Sequence, residues 1–364
     1  MNRIQVPQGM RDLITTECNK KEELKKKFEN IFCHYGYQPI ETPAIEYFDV
    51  YQNAYEEAKE EDFYLFFDQY GKTLALRSDM TIPIARVCAS KFANAKPPFR
   101  FRYCSDVFKV RHKFAGMRSQ VTDCGIELIG VDSRLDLEVL TLAFETLQAI
   151  GKEDYVLEIG TSNFFHMATL QLNLTEKQRK ELAHLIDAKS MVDLEQFLKD
   201  LSLTEEKKNF FLQLPMLAGK VDILEEAEKY CFSSTLKKEI DYLRSLYQSL
   251  KELGYEEHLQ FDLSKVPHLD YYTGIIFEGY VSSVGTAVLS GGRYDSLLKK
   301  FGRDLPACGF SIKLDSLLDI MEEMPQKITP IYYAKGQEVA ALQSTKQMNE
   351  NENIVLIEKD EETL

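Results

Sequence analysis

The chain has 364 residues, enough to bury one large core or two moderate ones. With 58 acidic against 44 basic side chains its formal charge is -14, an averaged field that repels polyphosphates unless basic residues are concentrated somewhere. No apolar run reaches membrane-spanning length, MNRIQVPQGMRD lacks the order of a secretory signal, and seven scattered cysteines without zinc-ligand spacing read as buried thiols of a reducing cytosol, so a soluble cytoplasmic protein is expected.

Residues 16 to 34 place Leu24, Phe28, Ile31 and Phe32 at helical spacing among lysines and glutamates, which predicts an amphipathic helix ending at a turn at Gly36. From there to about 130, short runs (FYLFFDQ, KTLALRS, RFRYCSDVFKV, QVTDCGIELIG) alternate with turn residues at a period nearer two than 3.6, and an antiparallel sheet is expected. Residues 134 to 150 read as helix and 154 to 160 as strand. Residues 165 to 254 carry helical stripes such as Leu182, Leu185, Ile186 and Leu194, Phe197, Leu198, Leu201, and β-like text resumes at 258 to 290. The helical stretch is therefore read as an insertion in a sheet that is completed afterwards. The end, 328 to 364, reads strand, helix, strand, too little to hold a core alone. The predicted fold class is α+β: an antiparallel sheet flanked by helices over residues 1–325, and a C-terminal β-α-β remnant over 326–364.

Four segments pack polar residues against glycine and aromatics where a structural strand would alternate: LRSDMT at 76 to 81, FKVRHKFAGMRSQVTDCGIE at 108 to 127, HLDYYTG at 268 to 274 and SGGRY at 290 to 294. Each alone has a plain structural reading. HLDYYTG reads as a strand with exposed tyrosines leading to a turn at Gly274, and the paired glycines of SGGRY as a bulge or tight corner. His34, His166, His184 and His258 have no metal-ligand spacing and read as solvated or satisfied, with His268 a weak pocket candidate. Arg102, Arg111, Lys113 and Arg118 form a basic run, read as a solvated loop, with a phosphate or partner contact as the alternative.

In order and spacing these segments resemble the class II aminoacyl-tRNA synthetase core, and within it histidyl-tRNA synthetase. PQGMRD before a helix, then YGYQPIETPAIEY with Pro43, resembles the dimer-forming first motif; LRSDMT resembles LRPEGT; LDYYTG and SGGRYD resemble the histidine-specific signature and the glycine-rich strand; GFSIKLDSL stands where the third motif belongs. The resemblance covers roughly residues 7 to 320, helical insertion included.

The resemblance implies a retained amino-acid pocket. Asp79 and Thr81 take the places that hold the ligand's α-ammonium, Glu127 and Tyr272 those that read the two imidazole nitrogens, and Tyr271 lines the pocket. Asp123 stands where the family has a glutamine touching the ligand's amino and carboxylate groups. The activating machinery is altered: the motif-two arginine and glutamate are Lys109 and Arg111, the arginine opening the histidine signature is Pro267, and the motif-three arginine is Ser316, with Lys313 at a glycine position. Adenylate formation needs cations on the phosphates, and proline or serine supplies none.

A histidine pocket without activation chemistry resembles the non-catalytic regulatory subunits of short-form ATP phosphoribosyltransferase. That likeness implies a hetero-oligomer with the catalytic phosphoribosyltransferase chain, L-histidine as feedback effector, a homodimer through the first motif, a truncated anticodon-binding domain and no use of tRNA, membrane, metal or cofactor. Two other readings stand beside it: a working or specialised synthetase, and a stand-alone histidine sensor.

Overall fold

The computed structural model describes residues 5–55, 58–111, 118–266, 272–322, 328–348 and 353–359. Helix α1 (Thr16–His34) buries Leu24, Phe28 and Phe32 one turn apart, and Gly36, at φ 81°, ends it with its N–H on the Cys33 carbonyl. β1 (Gln38–Pro39), β2 (Ile45–Tyr47), α2 (Phe48–Ala54), the hairpin β3 (Leu65–Phe67) and β4 (Thr73–Leu76), and α3 (Thr81–Ser90) follow. Next come the ten-residue strands β5 (Phe99–Phe108) and β6 (Gln120–Ile129), then α4 (Asp136–Gln148) and β7 (Tyr155–Thr161).

The leucine-rich stretch folds as α5 (Ser162–Leu170), α6 (Glu176–Asp187), α7 (Met191–Lys199), α8 (Glu205–Gln213), the two-residue β8 (Ala218–Gly219), α9 (Asp222–Tyr230) and α10 (Ser234–Glu252). β9 (Leu259–Asp262), β10 (Ile275–Val281), β11 (Leu289–Arg293), the short α11 (Leu297–Lys300) and β12 (Ala307–Lys313) complete the sheet. The last elements are β13 (Ile328–Ala334), α12 (Glu338–Thr345) and β14 (Asn353–Lys359).

The main sheet has nine strands in the order β1-β5-β6-β12-β11-β10-β7-β9-β8. Its centre is antiparallel, as expected, while β1–β5 and β7–β9 pair in parallel, so the sheet is mixed at these two pairs. Parallel neighbours need a long crossover, and these have one: α2 and α3 lie between β1 and β5, and the helical stretch lies between β7 and β9. The runs FYLFFDQ and KTLALRS do not join this sheet. They form a separate antiparallel one, β2-β4-β3.

Strand alternation divides the interior. Cys124, Ile126 and Leu128 of β6 face the large core with Leu24, Phe28, Phe144 and the helical stretch; Val121 and Ile129 face a second core with Tyr51, Ile84, Tyr103, Tyr294 and Leu297. Asp123 and Glu127 share the second face.

The chain divides into two compact units, Met1–Met321 and Glu322–Leu364. In the second, β13 and β14 pair in parallel from Ile328↔Asn353 to Ala334↔Lys359 around α12, which buries Ala341. Not all cysteines are buried thiols: Cys33 is exposed, and Cys104 and Cys124 form a disulfide, because the β5/β6 register sets them opposite one another. Among the described residues no helix is long and apolar enough to cross a membrane.

Candidate functional site

β4 runs directly into the LRSDMT segment, and the segment is anchored before it reaches the site. Arg77 is buried and donates from Nε to the Asp106 carbonyl and from Nη1 to the Thr42 carbonyl, both at 2.7 Å. This presents Asp79 at the start of α3, where its Oδ1 accepts the Ile82 N–H at 2.8 Å, as a capping carboxylate does. Its Oδ2 accepts from Ser78 Oγ at 3.2 Å and from the Tyr55 hydroxyl at 3.4 Å. Burial raises the Asp79 carboxyl above the usual range against these hydrogen bonds. Thr81, the first residue of α3, donates its hydroxyl to Glu127 Oε1 at 2.7 Å.

Glu127 projects from the middle of β6 and is 1% exposed. Its Oε2 accepts the Tyr294 hydroxyl, so both oxygens are occupied by neutral donors. Burial pushes its carboxyl up to about 8, although Tyr294 and Thr81 pull the other way. Tyr272 stands beside it, raised well above an ordinary phenol by burial and then by the charge of Glu127.

Bare backbone lies beneath these groups. Opposite Glu127 in the ladder is Gly309, where a methyl group would overlap Glu127 Oε2. A methyl on Gly292 would lie 2.6 Å from the Ile275 carbonyl and 2.7 Å from Tyr272 Cε1. The paired glycines of SGGRY are thus neither bulge nor corner: both sit in regular register between β10 and β12, where close approach excludes a side chain.

Asp123 is 3% exposed, and its Oδ1 has no hydrogen-bond partner among the described residues. Oδ2 lies 3.7 Å from Lys109 Nζ, an ion pair too long to be a hydrogen bond. Lys313 is opposite Asp123 in the ladder and donates to the Ala287 carbonyl at 3.1 Å; burial, then the charge of Lys109, holds its ammonium below the usual lysine range. Asp79, Lys109, Asp123, Glu127 and Tyr272 line a cavity of about 100 Å³, floored by Gly292 and Gly309. A cavity needs about 10–15 Å³ to hold one water, so this one has room for several water-sized groups.

The cavity brings together Asp79, Thr81, Asp123, Glu127 and Tyr272, and adds Lys109. Tyr271, Pro267, His268 and Lys113 lie outside the described residues. Arg111 donates from Nε to the Arg118 carbonyl at 3.4 Å, and Ser316 sits in a turn after β12; neither lines the cavity. The basic run is not a simple solvated loop, since Arg102 pairs with Glu29 at 3.8 Å and Arg118 with Asp315 at 3.5 Å. His258 is satisfied, its Nδ1 2.9 Å from the Tyr155 carbonyl and its ring stacked on Tyr155.

Sequence reasoning did not assign Tyr103, Tyr294, Ser290 and Ser311, which also line the cavity. A signal for Tyr294 was present: period-two alternation through SGGRY turns Ser290, Gly292 and Tyr294 to one side. Arg293 faces the other way and forms a buried ion pair with Asp136, linking β11 to α4.

Residues 9–317 match the family model described as histidyl-tRNA synthetase. ATP phosphoribosyltransferase regulatory subunits of Clostridium botulinum (strain Langeland) and Bacillus thuringiensis (strain Al Hakam) are 35% and 34% identical over 316 and 323 residues, spanning 86% and 88% of this chain and 75% and 76% of theirs. The crystal structure of an ATP phosphoribosyltransferase regulatory subunit/histidyl-tRNA synthetase from Bacillus halodurans matches with a TM-score of 0.88 at 30% identity, covering 100% of this chain and 94% of that one. Histidyl-tRNA synthetase from Nostoc sp. PCC 7120, 22% identical with a TM-score of 0.80 over 98% and 86% of the two chains, shares the fold. The chain belongs to the histidyl-tRNA synthetase family, in the branch of the ATP phosphoribosyltransferase regulatory subunits.

Proposed function

We propose that this chain is the histidine-responsive regulatory subunit of a short-form ATP phosphoribosyltransferase, at the first step of histidine biosynthesis in the cytoplasm. It assembles with the catalytic chain, activates it, and transmits feedback inhibition when L-histidine fills the cavity. Asp79 and Thr81 receive the α-ammonium, Glu127 and Tyr272 the ring nitrogens, with Asp123 and Tyr271 beside them. The chain pairs with a second copy through the segment around Pro43 and uses neither tRNA nor cofactor.

The observation that carries this reading is the unpartnered Oδ1 of buried Asp123, in a cavity that already holds Asp79 and Glu127. A buried acceptor left unmade costs about 1–3 kcal/mol, more when charged, and a cationic ligand removes that cost. The loss of adenylate chemistry is supported by the state of the remaining cations. Lys109 is held toward Asp123, Arg111 toward a backbone carbonyl and Arg118 toward Asp315, while Ser316 carries no charge. A ligand that orders the LRSDMT loop shifts a quaternary equilibrium only by its differential affinity for the two states.

Calorimetric titration with histidine, with ATP and magnesium as the parallel titrant, tests the reading. Histidine binding, no heat from ATP and no histidine-dependent ATP–pyrophosphate exchange are expected. Tight ATP binding with exchange would restore the synthetase reading.

A further inference from the structure

The disulfide between Cys104 and Cys124 joins directly opposed residues of β5 and β6. Alternation turns both sulfurs away from the cavity: Cys124, 0% exposed, belongs to the large core, and Cys104 packs half-buried against it. Their chain neighbours Tyr103 and Asp123 point to the other side and line the cavity. Among the described residues this is the single covalent cross-link, and it lies directly behind the wall of the site. Arg102, two residues before Cys104 on the same side of β5, pairs with Glu29 at 3.8 Å, and its Nε makes no hydrogen bond within the described residues.

We propose that Cys104–Cys124 is a reversible thiol–disulfide switch that sets the ligand affinity of the cavity, a role that rests on the histidine-binding reading above. Disulfides do not persist passively in a reducing compartment; those that occur there are mostly transient and redox-sensing. The exchange partner is a small thiol of the glutathione class. Its thiolate attacks Sγ of Cys104, the more exposed sulfur, forming a mixed disulfide and releasing the Cys124 thiolate, which takes a proton. A second thiolate attacks the glutathione sulfur of that mixed disulfide and releases the Cys104 thiolate, which takes a proton, leaving two protein thiols and one oxidised glutathione, with two electrons passed to the protein. Oxidised glutathione drives the reverse. Closed, the bond fixes the spacing of β5 and β6 where Tyr103 and Asp123 emerge, so less ordering accompanies binding. Open, the ladder persists without the cross-link, and the ligand must supply that order.

The full chain is equilibrated in glutathione buffers of graded poise, its thiols are counted by maleimide labelling and mass spectrometry, and histidine is titrated calorimetrically at each end. Five thiols are expected in the oxidised form and all seven in the reduced form. Histidine affinity is expected to be about three- to tenfold lower when reduced, the range in which a cross-link removes about 1 kcal/mol of ordering. Cys104→Ser holds the lower affinity in every buffer. Seven thiols throughout, or affinities equal within twofold, overturn the switch. If neither form binds histidine, the pocket reading falls instead, and the switch then stands or falls on the thiol count and on slower amide exchange of β5 and β6 upon oxidation.

Discussion

Thr81 Oγ1 donates to Glu127 Oε1 across 2.7 Å, tying the first turn of α3 to the middle of β6. Both residues belong to the proposed histidine site, and each is the other's hydrogen-bond partner. On the proposed reading, histidine exchanges this internal hydrogen bond for its own beside the first turn of α3, where Asp79 Oδ1 accepts the Ile82 N–H.

Glu127→Gln and Tyr272→Phe each alter a group that, in the proposed site, distinguishes imidazole from side chains of similar volume. Histidine affinity should fall at least tenfold in each, about 1.4 kcal/mol, while assembly with the catalytic chain and its activation persist. Calorimetry and an assay of histidine inhibition read the two effects. Variants as histidine-sensitive as the parent would sink the pocket assignment.

Glu127 also predicts a pH dependence of stability. An unfolded glutamate ionises near 4.3, whereas Glu127 in the folded chain ionises at about 8. Between those values the folded state retains a proton that the unfolded state has released, so stability falls as pH rises. The contribution is complete below about 4.3 and is lost as pH climbs through about 8, with a total on the order of a few kcal/mol. Urea midpoints from pH 5 to 9 should decline more steeply in the parent than in Glu127→Gln; equal slopes would remove Glu127 as the cause.

Gly309→Ala places a methyl group onto Glu127 Oε2 and the Ile126 carbonyl. Overpacking of this kind costs about 1–3 kcal/mol. Because the glutamate must move, histidine binding should be lost while circular dichroism stays that of the parent. Undiminished binding would mean that Glu127 does not have to be where it is.

Arg293→Met should destabilise by about 3–5 kcal/mol, the range for leaving one partner of a buried pair uncompensated. Burial alone would lower the Arg293 pKa, but its bonds to Asp136 and their attraction outweigh that and raise it. The double variant Arg293→Met/Asp136→Leu should recover part of the loss in thermal unfolding, since no charge then remains stranded. No recovery would assign the loss to packing.

How legible these features were in the sequence follows from the range of each interaction. Helix α1 was readable because Leu24, Phe28 and Phe32 recur on one stripe among charges. Helix α3 was not: TIPIARVCAS carries Pro83 in its first turn, β-branched neighbours and five buried residues out of ten, so it has little polar face to set a 3.6 period. Asp79, Thr81, Glu127 and Tyr272 were found through family resemblance, and the cavity holds all four. The bond from Tyr294 to Glu127 spans 167 positions, and the pairing of Cys104 with Cys124 depends on strand register. Neither is written in any local pattern.

The strand order also sets a timetable. β6 gains its neighbour β12 only after every residue between Ile129 and Ala307 has been made, because the helical stretch is interposed. At about 5–20 residues per second, Asp123 and Glu127 wait on the order of ten to forty seconds of synthesis before the strand that buries them exists. Until then Glu127 is an ordinary solvated glutamate, negatively charged in a neutral cell. Its elevated pKa is acquired late, when the second half of the chain closes over the first, so a nascent or truncated chain has the residues of the site without its electrostatics.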